Sequence, residues 1–394
     1  MKLLRITTVP ISLHLLLKGQ FRYMKDNGFD VYTISADGPE VAEVLKEGVE
    51  HFVVPFTRKI TPLRDLQCLI LLVSIIRKIK PDIIHTHTPK AGLLGMMAGR
   101  ICGVPVRMHT VAGLPLMVTS GLKRTLLEMT ERFTYASAHK VLPNSKGLET
   151  FMVKELNISQ NKIRLIGKGS SNGIDTSYFK STQELRTKAE ITRQQYGIKP
   201  NDLVFCFIGR IVKDKGIIEL VSAFKRVADE IKNDPGSRGN ARKLFLMMIG
   251  PFEEELDPLP PDVMRFLRED IRVILAGFQD DVRPGLIASD IFVFPSYREG
   301  FPNVVMQASL LEVPSIVSDI NGCNEIIEHN VTGLIVPPKD ERKLADAMLK
   351  LAINPDLRRS LAGAAHRYVS MHYDRMAIWE AIRKEYESLT RKPI

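Results

Sequence analysis

Arg210, Lys215 and Glu299 are the residues of this chain best suited to chemistry. Arg210 follows the apolar run Leu203–Ile208 in Gly209-Arg-Ile-Val-Lys-Asp-Lys-Gly216, and Lys215 precedes a helix expected from Ile217. In a parallel α/β sheet, both positions fall where strands end and helices begin. A guanidinium offers a planar fork and an ammonium a point charge, a combination that suits a diphosphate. Taken alone, each is as well read as an ordinary loop cation. Glu299 lies in Ser296-Tyr-Arg-Glu-Gly-Phe-Pro-Asn-Val-Val-Met-Gln307, between the apolar run 290–295 and an apolar segment, Val304 to Leu311, that reads as a helix. The N–H groups of Asn303 and Val304 open that helix without acceptors inside it and favour an anion. Pro302 fixes φ at the helix start and gives up only an N–H that is unpaired anyway. One such βα turn is unremarkable; joined to Arg210 and Lys215, it makes the phosphate reading the stronger one.

Two further loops, Gly250-Pro-Phe-Glu253 and Gly277-Phe278-Gln-Asp-Asp281, also follow strands, so four loops converge on one sheet edge. In the first half, His85 and His87 share one face of the strand Ile83–His87. They could be half of a metal site, but no third ligand is evident, so structural or substrate-contact roles are favoured. His109 ends another strand, beside the glycine-containing loop Thr110-Val-Ala-Gly113; scaffold and catalytic roles both fit it. No Asp-x-Asp pair occurs, so a metal-bridged diphosphate is not indicated and no metal or cofactor is expected. The first strand is followed by Lys18-Gly19 rather than GxGxxG, which weakens a dinucleotide reading. Gly19 remains flexible enough to approach a phosphate.

These loops need a scaffold. Apolar, β-branched runs at 3–8, 30–35, 51–54, 83–87, 106–110, 140–143 and 163–166 alternate with amphipathic stretches. A second series follows at 203–208, 244–249, 273–275, 291–294, 314–317 and 333–336. Strands separated by helices imply parallel sheets, and two series imply two Rossmann-like domains, 1–180 and 181–374. The boundary falls in the turn-rich 167–183. A closing helix at about 375–394, carrying Trp379 and Tyr386, is expected to pack back on the first domain. Residues 15–28 read as one helix ending at Gly28, and 234–240 as a surface loop.

The 394 residues are 44% hydrophobic, enough for two cores. Cys68, Cys102, Cys206 and Cys323 lack CxxC spacing and read as reduced, mostly buried thiols. Pro10, Ser12 and His14 interrupt the first apolar run, which therefore does not read as a signal peptide. The most apolar window, 66–76, is too short to span a bilayer. Of the net charge of +10, residues 1–180 carry +11, with 25 Lys and Arg against 14 Asp and Glu. This asymmetry fits either scattered solubilising charge or an anionic partner. Arg58-Lys59, Arg77-Lys78 and Lys123-Arg124, near the apolar 114–118, suit an anionic membrane surface. Nucleic acid is disfavoured, because no aromatic-plus-basic stacking motif appears.

Together, Gly209-Arg210…Lys215-Gly216, Arg298-Glu-Gly-Phe-Pro-Asn303, Asn172-Gly-Ile-Asp175, Asn321-Gly-Cys-Asn-Glu-Ile326 and His372-Tyr373 resemble the retaining glycosyltransferases of family 4. The resemblance covers nearly the whole chain and implies the GT-B fold, two Rossmann-like domains facing across a cleft. Lys90-Ala-Gly92 and 109–113 look like bacterial capsule, O-antigen or undecaprenyl-linked glycan enzymes. By resemblance, the second domain holds a nucleotide-sugar donor, UDP preferred, and the first an acceptor, a lipid-linked saccharide. Arg210 and Lys215 would neutralise the diphosphate in place of a metal, and Glu299 would contact the donor sugar. The backbone of Phe301 to Val304 would hold sugar hydroxyls and phosphate, and His109 would lie near the reacting carbon. Gly19, Gly209, Gly250 and Phe278 complete the expected donor contacts. Gln307 departs from the family pattern, which has a second Glu bonding the ribose there; an amide still accepts through its oxygen. The expected location is the cytoplasm, at the inner membrane face. The alternatives are a GT-B-fold epimerase, which needs paired carboxylates at the sugar, and a non-catalytic sugar-nucleotide-binding protein. A nicotinamide dehydrogenase fits poorly.

Overall fold

The computed structural model describes residues 1–233, 243–253 and 257–390, so the expected loop at 234–240 lies outside the described residues. Two compact units emerge: 1–173 joined by 375–394, and 174–374. The division falls between Gly173 and Ile174 rather than at 180/181. The physical reason is that Ile174 pairs with Asp374, and Thr176 donates to the Asp374 carboxylate at 2.7 Å. These contacts tie the start of the expected linker to the second unit.

The first unit holds β1 (Lys2–Ile6), β2 (Asp30–Ser35), β3 (Glu50–Val53), β4 (Ile83–His87), β5 (Val106–Val111) and β6 (Lys140–Pro143), in the order β3-β2-β1-β4-β5-β6. The second holds β7 (Leu203–Ile208), β8 (Leu244–Ile249), β9 (Val273–Gly277), β10 (Ile291–Phe294), β11 (Ser315–Ser318) and β12 (Leu334–Val336), in the order β12-β11-β10-β7-β8-β9. Every pairing is parallel. Each sheet grows outward from its first strand in both directions. The strand order therefore reverses between β1 and β4, and again between β7 and β10, the points where such sheets bind ligands. Strands covered on both faces by helices must be apolar throughout; β7 and β8, Leu-Val-Phe-Cys-Phe-Ile and Leu-Phe-Leu-Met-Met-Ile, are buried at every position.

Two expected elements are corrected. Residues 163–166 form no strand; only Ile163 bridges to Val141. The segment 15–28 is not one helix but the C-terminal part of Pro10–Leu16 followed by Gln20–Asp26, broken where Gly19 adopts φ 82°. Trp379, from the helix Arg375–Thr390, fills the space beside that glycine, and a Cβ there would lie 2.8 Å from its ring. The closing helix thus packs on the first unit. Its Tyr386 reaches the sheet, accepting from buried Arg5 at 2.9 Å and lying 2.5 Å from His85 Nδ1. Arg5 also donates to His87 Nε2 at 2.9 Å, and the His85 and His87 rings stack 4.4 Å apart. The histidine pair is engaged in core hydrogen bonds, which fits the structural role among those expected. Leu114 and Leu116, expected on a membrane-facing patch, are buried. All four cysteines are free; Cys102 is half-buried and the others are buried. No described helix is long and apolar enough to cross a membrane.

Candidate active site

The site in the second unit is built at the β7/β10 reversal. The 209–216 loop leaves β7, makes one tight turn at Lys213–Lys215, and enters the helix Ile217–Asn233 through Gly216. Gly216 has φ 71°, and a Cβ there would lie 2.1 Å from the Pro295 carbonyl oxygen. Only glycine lets this helix start press against the end of β10. The neighbouring strand makes the same demand at Gly250, where a Cβ would fall 2.0 Å from the Gly209 carbonyl oxygen. These close approaches bring the loops after β7, β8 and β10 together.

Within this cluster, the Lys215 ammonium pairs with the Glu299 carboxylate, both side chains largely buried. Ser296 Oγ donates to the same Glu299 oxygen at 2.9 Å. Tyr297 N–H donates to the Asp214 carbonyl at 2.9 Å, and Arg298 holds the Asp214 carboxylate at 3.0 Å, so the two loops are stitched along their length. Tyr297 OH donates to Glu219 at 2.7 Å; burial, then that carboxylate, raises the phenol pKa. Arg210 pairs with Glu253 at 2.9 Å, and Asp214 and Glu299 also favour its charge. Burial pulls the guanidinium pKa down, but these carboxylates outweigh it and leave it raised. Two cations therefore stand at the switch point, each held by a carboxylate.

The helix Asn303–Leu310 starts in the same cluster with Pro302 as its cap. Pro302 is buried, Asn303, Val304 and Gln307 are half-buried, and Phe301 packs on Tyr373 with ring centroids 5.2 Å apart. Phe301 is thus a core residue whose backbone, not its ring, opens the helix. Phe278 is exposed after β9. Sequence reasoning placed Arg210, Lys215, Glu299 and Gly250 at one edge, and the structure brings them together. It missed Ser296 and Asp214, whose only signal was their position beside Glu299 and Lys215.

The other expected residues lie in the first unit. His109, near the end of β5, is buried, and its Nδ1 is 2.8 Å from Thr86 Oγ1. Burial lowers its pKa to about 4, so the ring is neutral at pH 7. Gly92 faces it so closely that a Cβ there would lie 2.4 Å from the ring. Lys90 is occupied by Asp65 at 2.7 Å. The Gly19 N–H donates to Glu47 at 2.8 Å, while the φ of 82° and the Trp379 ring account for a glycine there. Among the described residues, no three His, Cys, Asp or Glu side chains gather as metal ligands.

Two parallel six-stranded α/β units are the layout of the GT-B fold, and comparison with known proteins makes the class a glycosyltransferase. Residues 188–368 match the family model "Glycosyl transferases group 1" and residues 20–178 match "Glycosyltransferase Family 4". The chain is 31% identical to the capsular polysaccharide biosynthesis glycosyltransferase CapM of Staphylococcus aureus, over 99% of this chain and 98% of that one. It is 28% identical to the Escherichia coli UDP-Gal:alpha-D-GlcNAc-diphosphoundecaprenol alpha-1,3-galactosyltransferase, over 84% and 82%. The solved structure of Anabaena Alr3699/HepE in complex with UDP superposes with a TM-score of 0.78 at 20% identity, covering 98% of this chain and all of that one. The chain belongs to glycosyltransferase family 4.

Proposed function

We propose that this glycosyltransferase transfers a sugar, with retention of configuration, from a UDP-sugar to a lipid-linked saccharide in bacterial surface polysaccharide assembly. The observation that carries the reading is the pair of cations, Arg210 and Lys215, at the β7/β10 reversal beside the start of the Asn303–Leu310 helix. Cleaving the bond from sugar to diphosphate leaves negative charge on the departing phosphate and positive charge on the sugar. Preorganised cations and free helix N–H groups stabilise the first. In this reading, Arg210 and Lys215 exchange their carboxylate partners for the diphosphate and do the work a metal would otherwise do. Glu299, freed from Lys215, contacts the donor sugar, and Gln307 accepts from the ribose. A phosphate oxygen takes the proton of the acceptor hydroxyl, which attacks from the face the phosphate leaves. His109, neutral at pH 7, has a hydrogen-bonding role in transfer. The donor and acceptor classes are supported by the relatives: the E. coli enzyme is named for UDP-galactose and a diphosphoundecaprenol-linked sugar, and UDP occupies the Anabaena protein. The basic first unit is the part assigned to an anionic membrane surface, on the cytoplasmic side.

A thermal-shift panel of UDP-, GDP- and ADP-sugars tests the donor. A ligand at about 100 times its Kd adds about 2.7 kcal/mol of stability, a readily measured rise in Tm. The reading expects the rise with UDP-sugars; a rise confined to GDP- or ADP-sugars sinks the UDP assignment. Product stereochemistry by NMR tests retention. Formation of a 2-epimer from the donor alone would instead support the epimerase, which the family match does not favour.

A further inference from the structure

The helix Gly121–Ser137 carries a second apolar stripe on the side away from its core. Leu122, Leu126, Met129 and Phe133 follow one another at steps of four, three and four residues, so they form a single stripe along the helix. That stripe faces outward: Leu122 is 91% exposed and Met129 65%, with Leu126 and Phe133 also exposed. The inward side carries Tyr135, Glu131 and Thr134, all buried, with Leu127 packed on the core. A single exposed leucine is ordinary, but four in line form a patch that calls for a partner.

The stripe does not stand alone. The helix Pro62–Ile79 packs on the same central helix, Pro89–Ile101, so all three make one layer over the first sheet. It also turns apolar side chains outward, among them Leu63, 87% exposed, and Ile70, 62% exposed. Charge selects the partner. Residues 57–137, which carry this layer, hold twelve Lys and Arg against four Asp and Glu, a net +8 out of +10 for the whole chain. Lys123 flanks the stripe on one side and Arg132, paired with Glu128 at 2.7 Å, on the other, and Arg77 and Lys78 are exposed near the end of the other helix. Two copies meeting through such faces would place like charges together. An anionic bilayer offers acyl chains to the stripe and headgroups to its flanking cations.

We propose that the outward face of the Gly121–Ser137 and Pro62–Ile79 helices is the surface by which this protein seats on an anionic lipid bilayer, with the Leu122–Phe133 stripe entering the headgroup boundary. This gives the membrane partner of the proposed function its contact face, and its biological purpose rests on that function. The physical claim is tested apart from it.

The test is co-sedimentation of the full chain with phosphatidylcholine vesicles containing 30% phosphatidylglycerol, against vesicles of phosphatidylcholine alone. UDP binding is measured in parallel. The wild type is expected to partition at least tenfold better onto the anionic vesicles, and the double variant Leu122→Glu/Met129→Glu to lose at least tenfold of that partitioning. Both substituted side chains are exposed, so UDP affinity and circular dichroism are expected to stay unchanged. Absence of partitioning by the wild type overturns the proposal. So does a double variant that partitions like the wild type, which would make the attraction one of charge alone. A wild-type dimer that the double variant abolishes, without vesicle binding, would assign the face to a second copy instead. Vesicle binding without UDP binding leaves this face intact and refutes the donor reading.

Discussion

The Lys215 ammonium and the Glu299 carboxylate form an ion pair, with their side chains 14% and 17% exposed, at the reversal point of the second sheet. Neither charge is satisfied by water alone, so removing one leaves the other stranded in a poorly solvated site. In the proposed reaction, Lys215 turns to the diphosphate as negative charge develops there. Lys215→Ala is therefore expected to lower kcat by about 10²-fold or more, the range seen for other preorganised charge stabilisers. Steady-state transfer assays check this, and near-normal turnover would remove Lys215 from the chemistry. Lys215→Arg, which keeps the charge but changes its shape, should recover only part of the loss.

Arg210 and Glu253 are more exposed, and their pair is correspondingly weak. In the proposed reaction, Glu253 competes with the donor for the guanidinium. Glu253→Gln should therefore tighten UDP binding, by up to about fivefold, the equivalent of roughly 1 kcal/mol for an exposed pair. Isothermal titration calorimetry reads this directly; weaker binding in the variant would mean that Glu253 helps to hold the nucleotide.

Gly216→Ala probes the scaffold rather than the charges. The substitution puts a Cβ 2.1 Å from the Pro295 carbonyl oxygen at φ 71°. Strain of this kind costs at least about 1–3 kcal/mol. Denaturant unfolding should show that loss of stability, and donor affinity should fall because the turn carrying Lys215 is displaced. Wild-type stability would contradict the close approach.

The first unit should be acid-sensitive. Burial first, then neighbouring charge, including Arg5, keeps the His85 and His87 pKa values well below their ordinary 6.5, and burial lowers His109 to about 4. Well above pH 6.5, from about pH 7.5 upward, these rings are neutral in both folded and unfolded chains and add no pH dependence. Below that, the unfolded chain takes up protons that the folded unit refuses, so stability falls mainly as pH drops from about 6.5 towards 4. Urea unfolding at pH 7.5, 6.5 and 5.5 should show a small decline over the upper interval and most of the loss over the lower one. His109→Gln should remove part of it; equal stability at all three values would contradict the neutral burial.

Much of this architecture was legible because parallel strands buried on both faces must be apolar from end to end, and β7, β8 and β10 are. The loops at their ends then followed from topology, so Arg210, Lys215 and Glu299 could be placed on one edge. What was not legible depended on residues distant in sequence. The helix break at Gly19 answers to Trp379, and Arg5 and His85 are joined to Tyr386, more than 300 residues away along the chain, with His87 held through Arg5. The 163–166 run was apolar enough for a strand, but it makes only one bridge to β6, and periodicity carries no information about such edge pairing. The exposed stripe from Leu122 to Phe133 has the spacing of a core-facing helix, so sequence alone could not reveal that it faces outward.

The central claim is that Arg210 and Lys215 together hold the donor diphosphate. Calorimetric titration of UDP and of uridine into the wild type and into Arg210→Ala/Lys215→Ala tests it most directly, with circular dichroism confirming that both proteins are folded. Loss of two charge-assisted contacts, at about 1.5–3 kcal/mol each, predicts a UDP affinity at least about 100-fold weaker in the variant, with uridine affinity little changed. Equal UDP affinity in the two folded proteins would contradict the account.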